Sequence, residues 1–242
     1  MATSNADGTR TTDVYQKIRD MIIKQVIPVG AKINQSDLAK QLTTSRTPVV
    51  YAMHKLETQG LVESVPNSGF YVRQVSVKEL SELFAFREAL EGIAAHDLAR
   101  RISDDEVERL RQLFARFELP DVDLEAYRLA DVEFHSTIIE LCGNDLAKKV
   151  NDYLQILNRA YTGGLLRPPS ETLPEHMDMI DALAEHDPER AQRLATEHIT
   201  KPRRLLDTTI SNLERVGVDP QTVPIDQVSF NRDGRRRPVG LD

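Results

Sequence analysis

Hydrophobic spacing, turn chemistry and an uneven charge distribution predict a mainly α chain: an N-terminal winged helix-turn-helix followed by an all-α helical bundle. The first 75 residues read as helix, short helix, turn, helix and hairpin in that order, which is the layout of a winged helix. Beyond Ser76 the apolar residues keep a helical period and the connections are short. The net charge of −7 is split unevenly. Nine Lys/Arg against six Asp/Glu through Val75 give +3, and the remaining 22 against 32 give −10. Because affinity for phosphates follows local cationic density, the basic first third keeps double-stranded DNA open as a partner while the acidic remainder does not. Four segments follow: a disordered arm at 1–11, a DNA-binding domain at 12–75, a helical domain at 76–215 and a mobile tail at 216–242.

In the first domain, Thr12 caps a helix to about Gln25 that carries Val14, Ile18, Met21, Ile22 and Ile23. Ile27-Pro28-Val29-Gly30 breaks it, since Pro28 disfavours helix before it and Gly30 frees φ. A short helix spans Gln35 to Leu42 and a longer one Ser45 to Thr58. Pro48 falls in the first turn of the longer helix, where its missing N–H costs nothing, and Gly60 closes its end. Leu61 to Val65 and Phe70 to Val75, joined by Pro66-Asn67-Ser68-Gly69, form the hairpin. A plain helical packing domain is the alternative, and the concentration of positive charge disfavours it.

In the second domain, helices are expected from Ser76 to Arg101, from the capping box Ser103-Asp104-Asp105-Glu106 to near Pro120, and from Asp123 to Leu141 with Gly143 as stop. Three more run from Asp145 to Tyr161 ahead of Gly163-Gly164, from Ser170 to His186, and from Pro188 to Arg215. The tail holds Arg235-Arg236-Arg237, either a solvated terminus or an extra phosphate contact. No run of about 18 apolar residues is present and the start lacks an apolar signal core, so a cytoplasmic protein without membrane contact is expected. Cys142 has no second cysteine to pair with, so a metal site would use nitrogen and oxygen ligands.

Asp131 and His135 are four residues apart and share a helical face with Tyr127, Phe134 and Ile138. Such groups in an apolar stripe are costly unless paired. His176 lies in line with Leu173, Ile180 and Leu183, and His198 with Ala191, Leu194 and Ala195. Three imidazoles and a carboxylate on inward faces suit a divalent ion, Zn²⁺ or Ni²⁺. Hydrogen-bonded core histidines are the alternative on spacing alone. Arg87, flanked by Leu83, Phe84 and Leu90, either offers its guanidinium fork to a carboxylate ligand or pairs with Glu91. Pro202, four residues after His198, removes a helix hydrogen bond at a cost of ~3 kcal/mol in a regular helix, so a kink is expected beside that histidine.

Ser45-Arg46-Thr47-Pro48-Val49, with Ala52, Leu56 and Gly60-Leu61-Val62, resembles the recognition-helix signature of GntR-type transcriptional regulators. Phe86 to Gly92, Asp131, Phe134-His135, Gly143-Asn144, Glu175-His176, Asp181-Ala182-Leu183 and Glu197-His198 resemble the ligand-binding (FCD) domain of their FadR subfamily, in its shorter, VanR-like branch. The resemblance covers roughly residues 12 to 210. It implies a homodimeric repressor that binds operator DNA and senses a small carboxylate effector. It also implies Asp131, His135, His176 and His198 as metal ligands, Arg87 beside the effector, Arg46 on the operator and Gly69 in the wing. The chain departs from the family where Val50, Ser36 and Ser68 replace usual cations. A bidentate base contact is worth ~1–3 kcal/mol of discrimination, so the operator is expected to differ, with Lys40, Thr47, Tyr51 and Lys55 compensating. Two other functions fit a three-histidine, one-aspartate set: a metal-dependent hydrolase, for which no positioned general base is identifiable, and a constitutive DNA binder with a purely structural metal.

Overall fold

In the computed structural model, residues 4–151, 154 and 166–228 are described. The chain divides into two compact units that part between Gln74 and Val75.

The first unit holds α1 (Ser4–Ile23), β1 (Lys32–Ile33), α2 (Gln35–Gln41), α3 (Arg46–Thr58), β2 (Val62–Val65) and β3 (Gly69–Val72). α1 packs against α3, and Val14, Ile18 and Ile22 of the one and Val49, Ala52, Met53 and Leu56 of the other are all buried. The two helices are further tied by the Tyr15 hydroxyl, which donates to Gln59 Oε1 at 2.8 Å. Asn34 caps α2 by accepting from the Ser36 and Asp37 amides. Two expectations are corrected here. The first helix begins at Ser4, so residues 4–11 of the expected disordered arm are helical. The sheet also has a third strand: β1 pairs antiparallel with β3, in the order β1-β3-β2. A two-residue strand shows no alternation in sequence, and only its pairing with Phe70 and Tyr71 reveals it.

The second unit holds α4 (Val77–Ala99), α5 (Asp104–Phe114), α6 (Leu124–Leu141), a helix covering residues 145–151 (α7), α8 (Pro169–Ala184) and α9 (Pro188–Arg215). Capping boxes open α4 at Ser76 and α5 at Ser103. Asp123 and Asp187 cap α6 and α9. The core joins Ala95 and Leu98 of α4, Leu110 and Phe114 of α5, Tyr127 and Phe134 of α6, Ile180 and Leu183 of α8, and Ala191 and Ala195 of α9. α4 and α9 approach closely at Gly92, where a Cβ would stand 2.5 Å from Thr196 Oγ1. α5 ends at Phe114, earlier than the expected Pro120, and α9 runs unbroken through Pro202 to Arg215. The distal part of the expected 145–161 helix and Gly163-Gly164 lie outside the described residues, as do Arg235, Arg236 and Arg237.

The tail expectation is corrected over its first half. Val77 N donates to Val223 O at 3.0 Å, and Ile225 N donates to Val75 O at 2.9 Å. These bonds flank an antiparallel bridge between Ser76 and Pro224, and Ile225 is buried. Residues 223–225 are thereby fastened to the start of α4. Pro224 lends itself to such an edge because it has no N–H to leave unpaired.

Candidate functional site

α6 carries Asp131 and His135 one turn apart, α8 carries His176 and α9 carries His198. The fold brings these four together, with one ligand atom from each lying within 4.8 Å of the others. Asp131 Oδ1 stands 3.4 Å from His176 Nε2 and 3.9 Å from His135 Nε2. Ligands at ~2.1 Å from one ion lie at most about 4.2 Å apart, and closer in a tetrahedral arrangement, so the set would hold a divalent ion once the widest pair draws in by about 0.6 Å or more.

The outer nitrogens explain the orientation of the rings. His135 Nδ1 is 2.6 Å from Glu91 Oε2, and His198 Nδ1 is 2.7 Å from Glu175 Oε2. An ionised carboxylate only accepts, so both Nδ1 atoms carry hydrogen, and on a neutral ring the Nε2 lone pair is bare. Carboxylates backing the outer nitrogen of a histidine are a recurrent support of metal ligands. His176 is wholly buried, stacked on Phe114 at 4.7 Å between ring centroids, with its Nδ1 3.1 Å from the Tyr127 hydroxyl. Its Nε2 is buried without a hydrogen-bond partner among the described residues. An unpartnered buried nitrogen beside a carboxylate is costly unless a cation lies between them, and that fits the residues to a metal.

Burial would raise the Glu91 carboxyl, but Arg87 and His135 outweigh it and hold the group down at about 2. Glu175 is likewise driven well below the usual carboxylate range, burial being overcome by Arg167, His198 and Lys201. Arg167 grips it with two parallel bonds of 2.6 and 2.7 Å, and Lys201 adds a third at 2.6 Å. Burial above all, then the neighbouring imidazoles, lowers His176 well below the ordinary imidazole range. Burial also lowers His198, against the pull of Glu175.

Arg87 enters the bundle as expected and is almost fully buried. Of the two partners considered for it, the ion pair with Glu91 is present, Nε to Oε1 at 2.8 Å. Because Glu91 also holds His135, Arg87 is one residue removed from the centre. Glu91, Glu175, Tyr127 and Arg167 were not assigned roles at this centre from sequence. The available signals were a glutamate four residues after a buried arginine and a glutamate adjoining His176, and both spacings are as common on solvated helices.

The other site residues belong to the first unit. Arg46, Thr47, Tyr51 and Lys55 follow one another along the exposed side of α3, while Val49, Ala52, Met53 and Leu56 are buried on the other. Arg46 is steadied by Gln35, whose Oε1 accepts from Nε at 3.3 Å and Nη2 at 3.2 Å. Lys55 Nζ lies 4.0 Å above the Tyr15 ring. Lys40 is exposed at the end of α2. Gly69, at φ +103°, closes the turn between β2 and β3 in a backbone conformation that L side chains rarely adopt. Val50 is half-buried between Val49 and Tyr51, and Ser68 is engaged with the Tyr71 hydroxyl at 2.6 Å.

A winged helix ahead of an all-helical bundle that gathers three histidines and an aspartate is a two-domain plan with a DNA-binding fold at its front. The chain belongs to the GntR family of bacterial regulatory proteins: residues 10–72 match that family and residues 82–201 match the FCD domain. It is 32% identical over 199 residues to a probable D-xylose utilization operon transcriptional repressor of Paenarthrobacter nicotinovorans, covering 79% of this chain and 87% of the relative. It is 25% identical over 191 residues to the HTH-type transcriptional repressor RspR of Escherichia coli, covering 77% and 84%. Among solved structures, McbR/YncC of E. coli has the same fold, with a TM-score of 0.68 at 19% identity over 83% of this chain and 98% of that one. The protein is a transcriptional regulator, not an enzyme. Among the described residues no helix is long and apolar enough to cross a membrane.

Proposed function

We propose that the protein is a homodimeric, cytoplasmic repressor that releases its operator in response to a small carboxylate metabolite sensed through a divalent metal. Asp131, His135, His176 and His198 would hold the ion, Zn²⁺ or Ni²⁺. The observation that carries this reading is the convergence of four ligand atoms around a buried, unpartnered His176 Nε2. A bound ion supplies an exchangeable position for a ligand oxygen. The outer fork of Arg87, whose Nε is committed to Glu91, would take the second oxygen of the same carboxylate. Arg46, Thr47, Tyr51, Lys55, Lys40 and Gly69 would form the DNA face, and Val50, Ser36 and Ser68 would give it an operator preference unlike that of an arginine-bearing relative. The domain boundaries expected from sequence, 12–75 and 76–215, serve this division of labour. Regulation requires that the effector bind the DNA-competent and DNA-incompetent arrangements with different affinity, since equal affinity shifts nothing.

The test is binding of the purified protein to its own upstream intergenic DNA against excess random competitor across a salt series, followed by addition of carboxylates with and without chelator. Competitor-resistant binding that a carboxylate weakens only in metal-loaded protein is the expected result. His135→Ala should lose metal content and carboxylate response together. Full metal occupancy in that variant, or a response indifferent to chelator, overturns the sensor reading.

A further inference from the structure

The three inward-facing imidazoles are not supported alike. Glu91 and Glu175 back His135 and His198 with carboxylates, whereas His176 has behind it only a line of neutral groups. That line runs from His176 Nδ1 to the Tyr127 hydroxyl at 3.1 Å and from there to Thr172 Oγ1 at 2.7 Å. Thr172 Oγ1 donates in turn to the Pro168 carbonyl at 3.3 Å. Tyr127, Thr172 and His176 are all buried, so no solvent competes for these bonds.

We infer that this chain of hydroxyls, anchored on the Pro168 carbonyl, fixes the tautomer of His176 and makes Tyr127 the positioning residue of the metal centre. A backbone carbonyl can only accept, so the Thr172 hydroxyl spends its single proton there. Its oxygen is then left to accept from Tyr127, and the tyrosine oxygen, its own proton spent, accepts from His176 Nδ1–H. The direction of every bond follows from its last member. Nε2 is thereby kept bare and aimed at Asp131, in agreement with its lack of a partner. Because Thr172 and Pro168 belong to the first turn of α8 and the residue before it, the aim of this ligand is set by how that helix begins.

The inference rests on the metal reading above, and two measurements keep their failures apart. Nitrogen chemical shifts of histidine-labelled, metal-free protein report the tautomer without any ion. The expected result is His176 as Nδ1–H in the native protein, with the preference lost in Tyr127→Phe. His176 protonated at Nε2, or unchanged in Tyr127→Phe, overturns the inference whether or not metal binds. Competition with a chromophoric Zn²⁺ chelator then measures affinity. Tyr127→Phe should bind 10- to 100-fold more weakly, as loss of an outer-shell partner typically does. Thr172→Val should follow it, and Thr172→Ser, which keeps the hydroxyl, should retain native affinity. Affinity within twofold of native in Tyr127→Phe overturns the positioning role, and equal losses in Thr172→Ser and Thr172→Val reduce Thr172 to a packing residue. Native protein that binds no Zn²⁺ overturns the metal reading and, with it, the positioning role, leaving the tautomer result to stand alone.

Discussion

At the scale of residues, the histidine cluster makes the metal-free protein sensitive to acid. His176 and His198 are held below the ordinary imidazole range chiefly by burial. An unfolded chain protonates these rings as pH falls through about 6.5, while the folded chain resists. Folding stability is therefore full above that pH and declines below it. Glu91 acts in the same direction at lower pH: held at about 2 against a usual 4.5, it loses its contribution as pH falls between those values. The urea midpoint of metal-free protein should thus be lower at pH 5.5 than at pH 7.5, and His176→Asn should flatten that dependence. A midpoint independent of pH would show that these rings are solvated. The four inward groups were legible because an i, i+4 acid and imidazole, and two more histidines, interrupt apolar stripes. Glu91 and Glu175 were not, because a glutamate on a helix looks the same whether it faces water or a histidine.

At the scale of elements, packing of α4 on α9 depends on the missing side chain of Gly92. Alanine there would gain ~1 kcal/mol of helix propensity but bring its Cβ to 2.5 Å from Thr196 Oγ1. Relief requires Thr196 to change its χ1 rotamer or the two helices to part. With overpacking costing ~1–3 kcal/mol, Gly92→Ala should destabilise by about 1 kcal/mol net, and Thr196→Ala in the same chain should restore the native denaturation midpoint. On α3, Arg46→Ala should weaken operator binding by roughly 10- to 100-fold, matching a ~1–3 kcal/mol contact. Far-ultraviolet circular dichroism and metal content should be unchanged. Unaltered affinity would remove Arg46 from the DNA face. A capping box made the start of α5 readable in sequence, and turn residues did the same for the β2-β3 hairpin. β1 and residues 4–11 of α1 were not: one is too short to show alternation, and the other is polar enough to read as an arm.

At the scale of the whole molecule, the division of charge sets how DNA is approached. A first unit at +3 and a remainder at −10 mean that attraction to phosphates is local to one end and opposed by the other. Operator affinity should therefore fall steeply with salt, and its log–log slope should shrink by ~0.9 for each phosphate contact removed, which Lys40→Gln and Lys55→Gln can count. The two-unit plan was legible because charge, turn chemistry and hydrophobic period all change near residue 75. The fastening of residues 223–225 to residues 75–77 was not, because pairing between segments so far apart leaves no local pattern. Truncation after Val218 should lower the thermal midpoint of the protein by several degrees, since it strips the Val77 amide and the Val75 carbonyl of their partners; an unmoved midpoint would make that clasp energetically idle.

The clasp also orders events during synthesis. The winged helix emerges from the ribosome with all of its own contacts in hand and can fold at once, as N-terminal domains generally do. The helical unit cannot complete its first turn in the same way, because the Val77 amide and the Val75 carbonyl wait for residues 223–225, which are made after all of its helices. Through that interval the winged helix is finished while the first turn of the helical unit still lacks its partners, and joining segments so far apart closes a very long loop, whose entropic cost rises only slowly with its length.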